Sequence, residues 1–195
     1  TLLVTTEVAL AMVLLLGAAL LIRTLIAIRH VNPGFDAHNV LTMRMSLTGP
    51  QLEKPAEVSR VVHDAVRRID ALTGVEIAGA TCCLPLVDRL GQLFQIAGRP
   101  DGAASQGSAG WTMVSPSYFE IFKIPVLHGR TFTELDENGP PLIIINQALA
   151  KRFWPDSDPL NSQITIGTRL AKKGQRPLQI VGGVGDVRDD ALNHD

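Results

Sequence analysis

The most constraining feature of this sequence is a long apolar run close to its start. Residues 8–22 carry no charge, and the wider run from Leu2 to Ile28 is interrupted only by Thr5, Thr6, Glu7, Arg23 and Thr24. About twenty helical residues, each rising about 1.5 Å, cross the hydrocarbon core of about 30 Å in a bilayer. Because a backbone in lipid must satisfy its own hydrogen bonds, we predict a transmembrane helix and stalk over residues 1–29.

Two other interpretations of the run have less support. A secretory signal peptide has a basic stretch before its apolar part and a small-residue cleavage site after it, whereas here Glu7 precedes the run and Arg23 follows it. A buried helix of a soluble core usually keeps one polar stripe, which this run lacks. By the positive-inside rule, Arg23, Arg29 and His30 taken alone would place the downstream side in the cytoplasm. The rule compares the two flanks of the span, however, so composition leaves the sidedness open.

The rest of the chain has the composition of a folded domain. Of the 195 residues, 46% are apolar and 19% are charged, which argues against a disordered chain. The net charge of -1 gives no reason to expect a nucleic-acid partner. Since the chain begins with Thr1, we interpret it as a piece of a longer protein, with one domain over residues 30–195 that is truncated at its C-terminal end.

The first part of this domain predicts a strand, a helix and a second strand. Residues 39–47 alternate between apolar and polar side chains, as a half-buried strand does. Apolar residues recur at helical spacing over residues 55–73, with Pro55 suited to the first turn and Gly74 to the C-terminal cap. Residues 75–86 again indicate a strand. We therefore predict a split βαβ layer.

The remaining elements are mixed. We expect loops around a hairpin over residues 87–110, with a short strand at 93–97, then a short helix that begins near Ser117 and carries an aromatic face. An apolar strand at 142–145 precedes a helix capped by Asn146, and two further strands are predicted at 163–166 and 178–187. The fold class is therefore α+β. The Asp-rich residues 186–195 have no apolar partner, and we expect further strands to close the fold.

No group of residues in this sequence predicts chemistry. The histidines at positions 30, 38, 63, 128 and 194 lack metal-ligand spacing, and we interpret each as a surface residue. The glycine-rich stretch 182–186 matches no nucleotide-binding pattern, and we expect it to allow close packing or a bulge in a strand. Asp186, Asp189 and Asp190 are interpreted as a solvated turn. We predict no catalytic, cofactor-binding or metal-binding residue, and no enzyme.

Two features of the sequence stay without an assigned role. The only cysteines, Cys82 and Cys83, are adjacent, which excludes a disulfide framework and argues against a tetrahedral metal site. We interpret them as small residues at the end of a strand. Glu7 is an unusual carboxylate so close to an apolar run, and its depth is left open between a site facing protein or water and a site at the interface.

Five stretches together resemble the family of ABC-transporter permeases of the MacB and FtsX type, in particular the periplasmic core domain of its duplicated form. They are EVALAMVLLLGAALLIRTL from Glu7, VNPGFDAHNVLTMRMSL from Val31, VSPSYFEIFKIPVLHGRTFTE from Val114, IINQALAKRFWPDSDPLNSQITIG from Ile144 and IVGGVGDVRDDAL from Ile180. The resemblance implies a helix in the bacterial inner membrane, residues after about 30 on the periplasmic side, and a mixed α/β domain with a porter-like split βαβ part and a second small subdomain.

The resemblance also implies a function and partners. The chain would be a non-catalytic permease subunit, used for export or for passing motion across the membrane, and driven by a cytoplasmic ATPase that is separate or fused. Its expected partners are the lipid bilayer, that ATPase, a second permease copy or paired half, and a periplasmic adaptor. The alternatives are a membrane-anchored sensor with a ligand-binding module, which would need a concave pocket with convergent polar groups, and a tethered enzyme.

Overall fold

The long first helix forms as the apolar run predicts. The computed structural model describes residues 2–29, 32–47, 54–85, 90–100, 105–167 and 176–187. Helix α1 spans Leu2–Arg29, and within the described residues it is long and apolar enough to cross a membrane. The hydroxyl groups of Thr6 and Thr24 donate hydrogen bonds to carbonyl oxygens of the preceding turn. Such internal pairing of polar groups is what a helix in lipid requires.

The chain divides into two compact units. The first contains α1 and continues to Pro33, and the second begins at Gly34. The second unit holds all the remaining helices and strands of the described residues. It is a mixed α/β domain, so the predicted fold class is confirmed.

Helix α2, Pro55–Asp70, confirms the second predicted helix. Pro55 stands in its first turn as expected, Glu57 lies near its N-terminus, and Arg67 and Arg68 lie in its last turn, where each charge opposes the partial charge of the helix end. The helix ends three residues earlier than predicted, with Ala71 as its C-cap. Its apolar positions are only half-buried.

The strands predicted on either side of α2 are not formed. Residues 40–47 contain no regular structure, and Leu41, Met43 and Met45 are exposed. Residues 75–85 contribute only a single bridge, from Thr81 to Val114, and residue 86 lies outside the described part of the chain. Alternation indicates which face a strand would bury, but a strand also needs a run of backbone pairing, and among the described residues neither segment builds a ladder longer than the Thr81 to Val114 bridge.

A six-stranded sheet forms the centre of the second unit. Its members are β1 (Leu90–Ile96), β2 (Gln106–Trp111), β3 (Val126–Gly129), β4 (Leu142–Asn146), β5 (Gln163–Ile166) and β6 (Leu178–Val184). The antiparallel order is β2-β1-β5-β6-β3, and β4 pairs with β6 in parallel. The predicted hairpin is β1 with β2, and the predictions for β4, β5 and β6 are confirmed.

A parallel β-α-β connection does form, but late in the chain. It runs from β4 through helix α4, Gln147–Phe153, and then through β5 to β6. The side chain of Asn146 accepts a hydrogen bond of 3.1 Å from the backbone N–H of Leu149, so this residue caps α4 as predicted. The helix ends before Pro155, where the chain can no longer continue its hydrogen-bond ladder.

Two apolar clusters lie within the second unit. The larger one joins the sheet to α4 and consists of Phe94, Ile96, Ile145, Phe153, Trp154, Ile164 and Ile180. The smaller one surrounds the short helix α3, Tyr118–Ile121, and consists of Phe119, Phe122, Ile124 and Val184. Core packing of the aromatic residues of α3 is therefore confirmed. The hydroxyl of Ser117 does not cap α3 but donates to the carbonyl oxygen of Ala78, 2.7 Å away.

The glycines of β6 fit the bulge expected from the sequence. The register between β4 and β6 shifts by one residue at Gly182. A Cβ atom at Gly182 would collide with the carbonyl oxygen of Arg130. Only glycine at position 182 allows the backbone of β6 to approach the backbone of Arg130 so closely.

Two elements have no counterpart in the sequence predictions. Strand β3 is short and exposed, and a 3-10 helix spans Glu134–Asn138. The carboxylate of Asp136 accepts hydrogen bonds from the backbone and hydroxyl of Thr133, and it pairs with the guanidinium of Arg130 at 2.6 Å. This ion pair, followed by the Thr133 backbone N–H, holds the pKa of Asp136 well below its usual range.

Candidate functional site

The best-defined polar arrangement of the second unit lies at its entry, a few residues after α1. We call it the junction clamp: Gly34, Phe35 and Asp36, together with Phe122, Lys123 and Asp186, which they contact. Gly34 lies against the backbone of Asp186, and a Cβ atom at Gly34 would collide with the Asp186 carbonyl oxygen. Gly34 also has a φ of +85°, which favours glycine. The VNPGFD stretch therefore needs glycine at this position for two reasons.

Asp36 binds Phe122 and Lys123 of the clamp, the first through its backbone and the second through its side chain. Its backbone N–H donates to the carbonyl oxygen of Phe122 at 2.8 Å. One carboxylate oxygen of Asp36 accepts from the Lys123 ammonium at 2.7 Å, and the other accepts from the backbone N–H of His38 at 2.9 Å. Together these bonds hold Asp36 against the end of α3.

The charges of this pair persist across the neutral pH range. The Lys123 ammonium, and after it the His38 backbone N–H, hold the pKa of Asp36 well below its ordinary value of 3.8, and the carboxylate raises the pKa of Lys123. Because the pKa of Asp36 is lower in the folded protein, the pair stabilises the fold above the ordinary carboxyl pKa. That contribution is lost only as the pH falls through the lowered pKa. Solvent screening keeps it modest, since the Lys123 side chain is 69% exposed.

Phe35 connects the entry segment to the smaller apolar cluster. Its ring meets that of Phe122 edge to face, with the ring centroids 5.7 Å apart. Val40 and Val187 pack against the same cluster, so the cluster collects residues from both ends of the second unit. Edge-to-face aromatic pairs add about 0.5–1.5 kcal/mol to the burial of their apolar area. The entry segment is thus held by apolar as well as polar contacts.

Asp186 extends the clamp to the helix of the β-α-β connection. Its carboxylate accepts a hydrogen bond of 2.7 Å from the backbone N–H of Ala148, in the first turn of α4. A carboxylate at this position satisfies an N–H that the helix itself leaves without a partner. Asp186 is exposed, as its interpretation as a solvated residue expects, and it also binds α4, while Asp189 and Asp190 lie outside the described residues.

Of the histidines considered in the sequence, His38 lies at the clamp, where its Nδ1 is 2.7 Å from a carboxylate oxygen of Asp36. His38, His63 and His128 are exposed, as expected, and His30 and His194 lie outside the described residues. Among the residues that the structure describes, no three His, Cys, Asp or Glu side chains form a group that could hold a metal ion. Glu7 is exposed on α1. The contacts of the clamp hold the entry segment in place against α3 and α4.

A pocket of the second unit lies between α4 and strands β3 and β6. Its volume is about 200 Å³, and its walls, which include Leu127, Ala150 and Trp154, are mainly apolar. Pockets for small ligands usually have volumes of about 300–1,000 Å³ and a few convergent polar groups. This pocket therefore gives little support to a ligand-binding sensor.

Sequence reasoning missed the junction clamp. Gly34 and Asp186 lie at opposite ends of the second unit's sequence, and no local pattern links them. The available signal was indirect: a glycine directly after Pro33, and an aspartate directly after the glycine-rich strand β6. Each signal marks a place where the backbone has special requirements, but neither identifies its partner.

The fold and the clamp define a chain with a candidate membrane-spanning helix followed directly by a mixed α/β domain. The family model of the MacB-like periplasmic core domain matches residues 8–192. The chain therefore belongs to the MacB-like periplasmic core domain family of ABC-transporter permeases. No curated protein is similar enough in sequence to count as a match.

Solved structures of the same kind show a distant likeness. The periplasmic region of MacB from Actinobacillus actinomycetemcomitans is 12% identical, with a TM-score of 0.49 over 66% of this chain and 52% of that one. The extracellular domain of the noncanonic ABC-type transporter YknZ from Gram-positive bacteria is 16% identical, with a TM-score of 0.47 over 66% and 59%. A domain of a putative permease protein from Porphyromonas gingivalis is 14% identical, with a TM-score of 0.35 over 50% and 40%. The chain thus spans between about half and three fifths of the length of the first two.

The close approach at Gly34 gives a testable prediction. Alanine at Gly34 is expected to destabilise the domain by at least about 1–3 kcal/mol, the usual cost of forcing a side chain into a disfavoured backbone region, with the collision at Asp186 added. Gly74 is a matched control, because it also has a positive φ but nothing lies within 4 Å of the point where a Cβ atom would stand. Chemical denaturation of both variants in detergent checks this, and equal losses would contradict the role of Asp186.

Proposed function

We propose that this chain is part of a permease subunit that passes ATP-driven motion from the cytoplasmic side of the bacterial inner membrane to an extracytoplasmic domain. In this proposal α1 crosses the membrane, and the residues after about 30 lie on the periplasmic side. A cytoplasmic ATPase, separate or fused, supplies the energy. A second permease copy or paired half, and a periplasmic adaptor, complete the assembly.

The observation that carries the proposal is the junction clamp so soon after α1. Helix α1 ends at Arg29 and the clamp begins at Gly34, so the intervening segment is short. A short segment can absorb little movement. A displacement of the helix end is therefore transmitted to the clamp with little decrease in its size. A helix that was only an anchor would gain nothing from such close attachment to the domain.

Inside the domain, the clamp passes a displacement to two elements. Asp36 and Phe35 hold the end of α3, and Gly34 lies against Asp186, which binds the first turn of α4. Helix α4 packs on β4 and β6 through the larger apolar cluster. Packed elements of this kind move as rigid bodies between discrete arrangements and do not deform continuously.

A flexible insertion tests the proposal. Two glycines inserted between Arg29 and Asn32 are expected to uncouple ATP hydrolysis from motion of the domain while the domain stays folded. The experiment uses the full permease with its ATPase in lipid vesicles. Hydrogen exchange at the Asp36 backbone N–H, with and without ATP, reports the motion, and phosphate release reports hydrolysis.

The matched control places the same two glycines between Gly139 and Pro140, an exposed bend between the 3-10 helix and β4. This variant should keep the ATP-dependent change in exchange at Asp36. The insertion near Arg29 should lose that change and keep hydrolysis. If the ATP-dependent change survives in both variants, mechanical coupling through this segment is contradicted.

A further inference from the structure

The adjacent cysteines form a close pair of thiols that the permease function does not use. The sulfur atoms of Cys82 and Cys83 lie 2.9 Å apart. A covalent S–S bond is about 2 Å long, so closing a disulfide requires the sulfurs to approach by only about 1 Å. Because the two residues are neighbours in the chain, closure forms an eight-membered ring that includes their peptide bond, with Cα atoms about 3.8 Å apart, closer than in most disulfides, so the local backbone has to adjust.

The surroundings of the two thiols differ in a way that suits stepwise oxidation. Cys82 is exposed, whereas Cys83 is 5% exposed and belongs to the interior of the domain. The backbone of Met113 donates to the Cys82 sulfur at 3.3 Å and accepts from the Cys82 N–H at 3.0 Å. An incoming reagent therefore reaches Cys82 first, and Cys83 lies behind it within reach of the same sulfur.

Metal binding fits the pair less well than oxidation does. Structural sites for zinc use four ligands, and no group of three His, Cys, Asp or Glu side chains surrounds the cysteines in the described residues. Two thiols in contact can close to a disulfide without any further ligand.

We propose that Cys82 and Cys83 are a redox-modification site that closes to a vicinal disulfide by exchange with a small-molecule disulfide. The Cys82 thiolate attacks the reagent disulfide, forms a mixed disulfide and expels one thiolate. The Cys83 thiol loses its proton and attacks the Cys82 sulfur, which expels the second thiolate. In total the two cysteines give up two protons and two electrons, and one small-molecule disulfide is reduced to two thiols.

Oxidation acts at an attachment point of the domain. Residues 78–82 pair with residues 113–117 through the Thr81 to Val114 bridge, and through hydrogen bonds between Ala80 and Ser115 in both directions. This pairing connects the segment that carries α2 to α3. A disulfide ring between Cys82 and Cys83 fixes the backbone at one end of the pairing. The oxidation state of the two cysteines therefore sets how rigidly residues 78–82 are held against residues 113–117.

The test uses the full chain in detergent micelles, reduced and then incubated with oxidised glutathione. Thiols that remain are blocked with a maleimide after acid quenching and unfolding, and the mass of the cysteine-containing peptide is measured. We expect both thiols to be lost together, with a peptide that lacks two hydrogen atoms and carries no glutathione. Dithiothreitol should restore both thiols.

Single variants separate the two steps. Cys83→Ser should stop at a stable mixed disulfide between Cys82 and glutathione, because the resolving thiol is gone. Cys82→Ser should keep its Cys83 thiol over the same incubation, because that residue is buried. The proposal is overturned if both thiols of the parent chain survive oxidation, if the only products are disulfides between two chains, or if the parent chain accumulates the same glutathione adduct as Cys83→Ser.

Discussion

Arginine at both Leu14 and Leu15 is expected to prevent the 195-residue chain from integrating into membranes. Both residues lie near the middle of α1, where their side chains are 64% and 70% exposed and would face lipid. An arginine at the centre of a membrane helix costs about 2.5–3.5 kcal/mol on insertion scales, so two together cost about 5–7 kcal/mol. The readout is the fraction of the chain that stays in the membrane pellet after extraction with alkaline carbonate.

The control moves the same change to the end of the helix. Arginines at Leu2 and Leu3 add equal charge, but there the side chains can extend to the aqueous interface, so the chain should remain in the pellet. If the variant with two central arginines resists carbonate as well as the parent chain does, α1 does not cross the lipid core, and the permease assignment loses its physical basis.

Truncating Phe153 to alanine should cause a large loss of stability from a single side chain of the second unit. Phe153 is 5% exposed in the larger apolar cluster, and its ring meets that of Phe94 edge to face at 5.1 Å. Removing a buried phenylalanine costs about 3–5 kcal/mol, because the transfer free energy and the contacts around the new cavity are both lost. A fall in Tm of roughly 10 °C is expected for a domain of this size.

Lys151→Ala is the matched control for this change. It lies in the same helix, is exposed, and places the same good helix former in α4, so its effect should stay within about 0.5 kcal/mol. Denaturant titration followed by tryptophan fluorescence suits both variants, since Trp154 packs directly beside Phe153. Similar losses in the two variants would show that this cluster does not hold the sheet to α4.

Local signals in the sequence predicted the elements that depend on local interactions. Helix α1 follows from uniform apolarity, α2 from helical spacing after Pro55, and α4 from the cap at Asn146. In each case the residues that specify the element lie inside it or next to it. These predictions needed no knowledge of what the element packs against.

Elements that depend on distant partners were predicted less well. Residues 40–47 alternate like a strand, yet they belong to no strand of the described part of the chain, and the alternation gave no information on that point. Strand β3 is the opposite case. All four of its residues are exposed, so it has no alternation of buried and exposed side chains, and it is identified as a strand by its pairing with β6. Pairing is a property of two segments, and only one of them is visible in a local pattern.

The candidate site was hidden for the same reason. The close approach at Gly34 depends on the position of the Asp186 backbone, and the ion pair of Asp36 depends on Lys123, which lies far from it in the sequence. The place where the entry segment is held to the domain was not readable in the sequence, because its contacts join residues from opposite ends of the second unit.

Strand β6 occupies the middle of the sheet although it is the last strand in the described sequence. It pairs with β3, β4 and β5, all of which are synthesised before it. Those strands must therefore wait, with apolar residues such as Ile143 and Ile145 still unburied, until β6 has left the ribosome. A nascent chain in that condition is prone to aggregate, and chaperones that bind extended apolar segments are expected to meet it before the sheet closes.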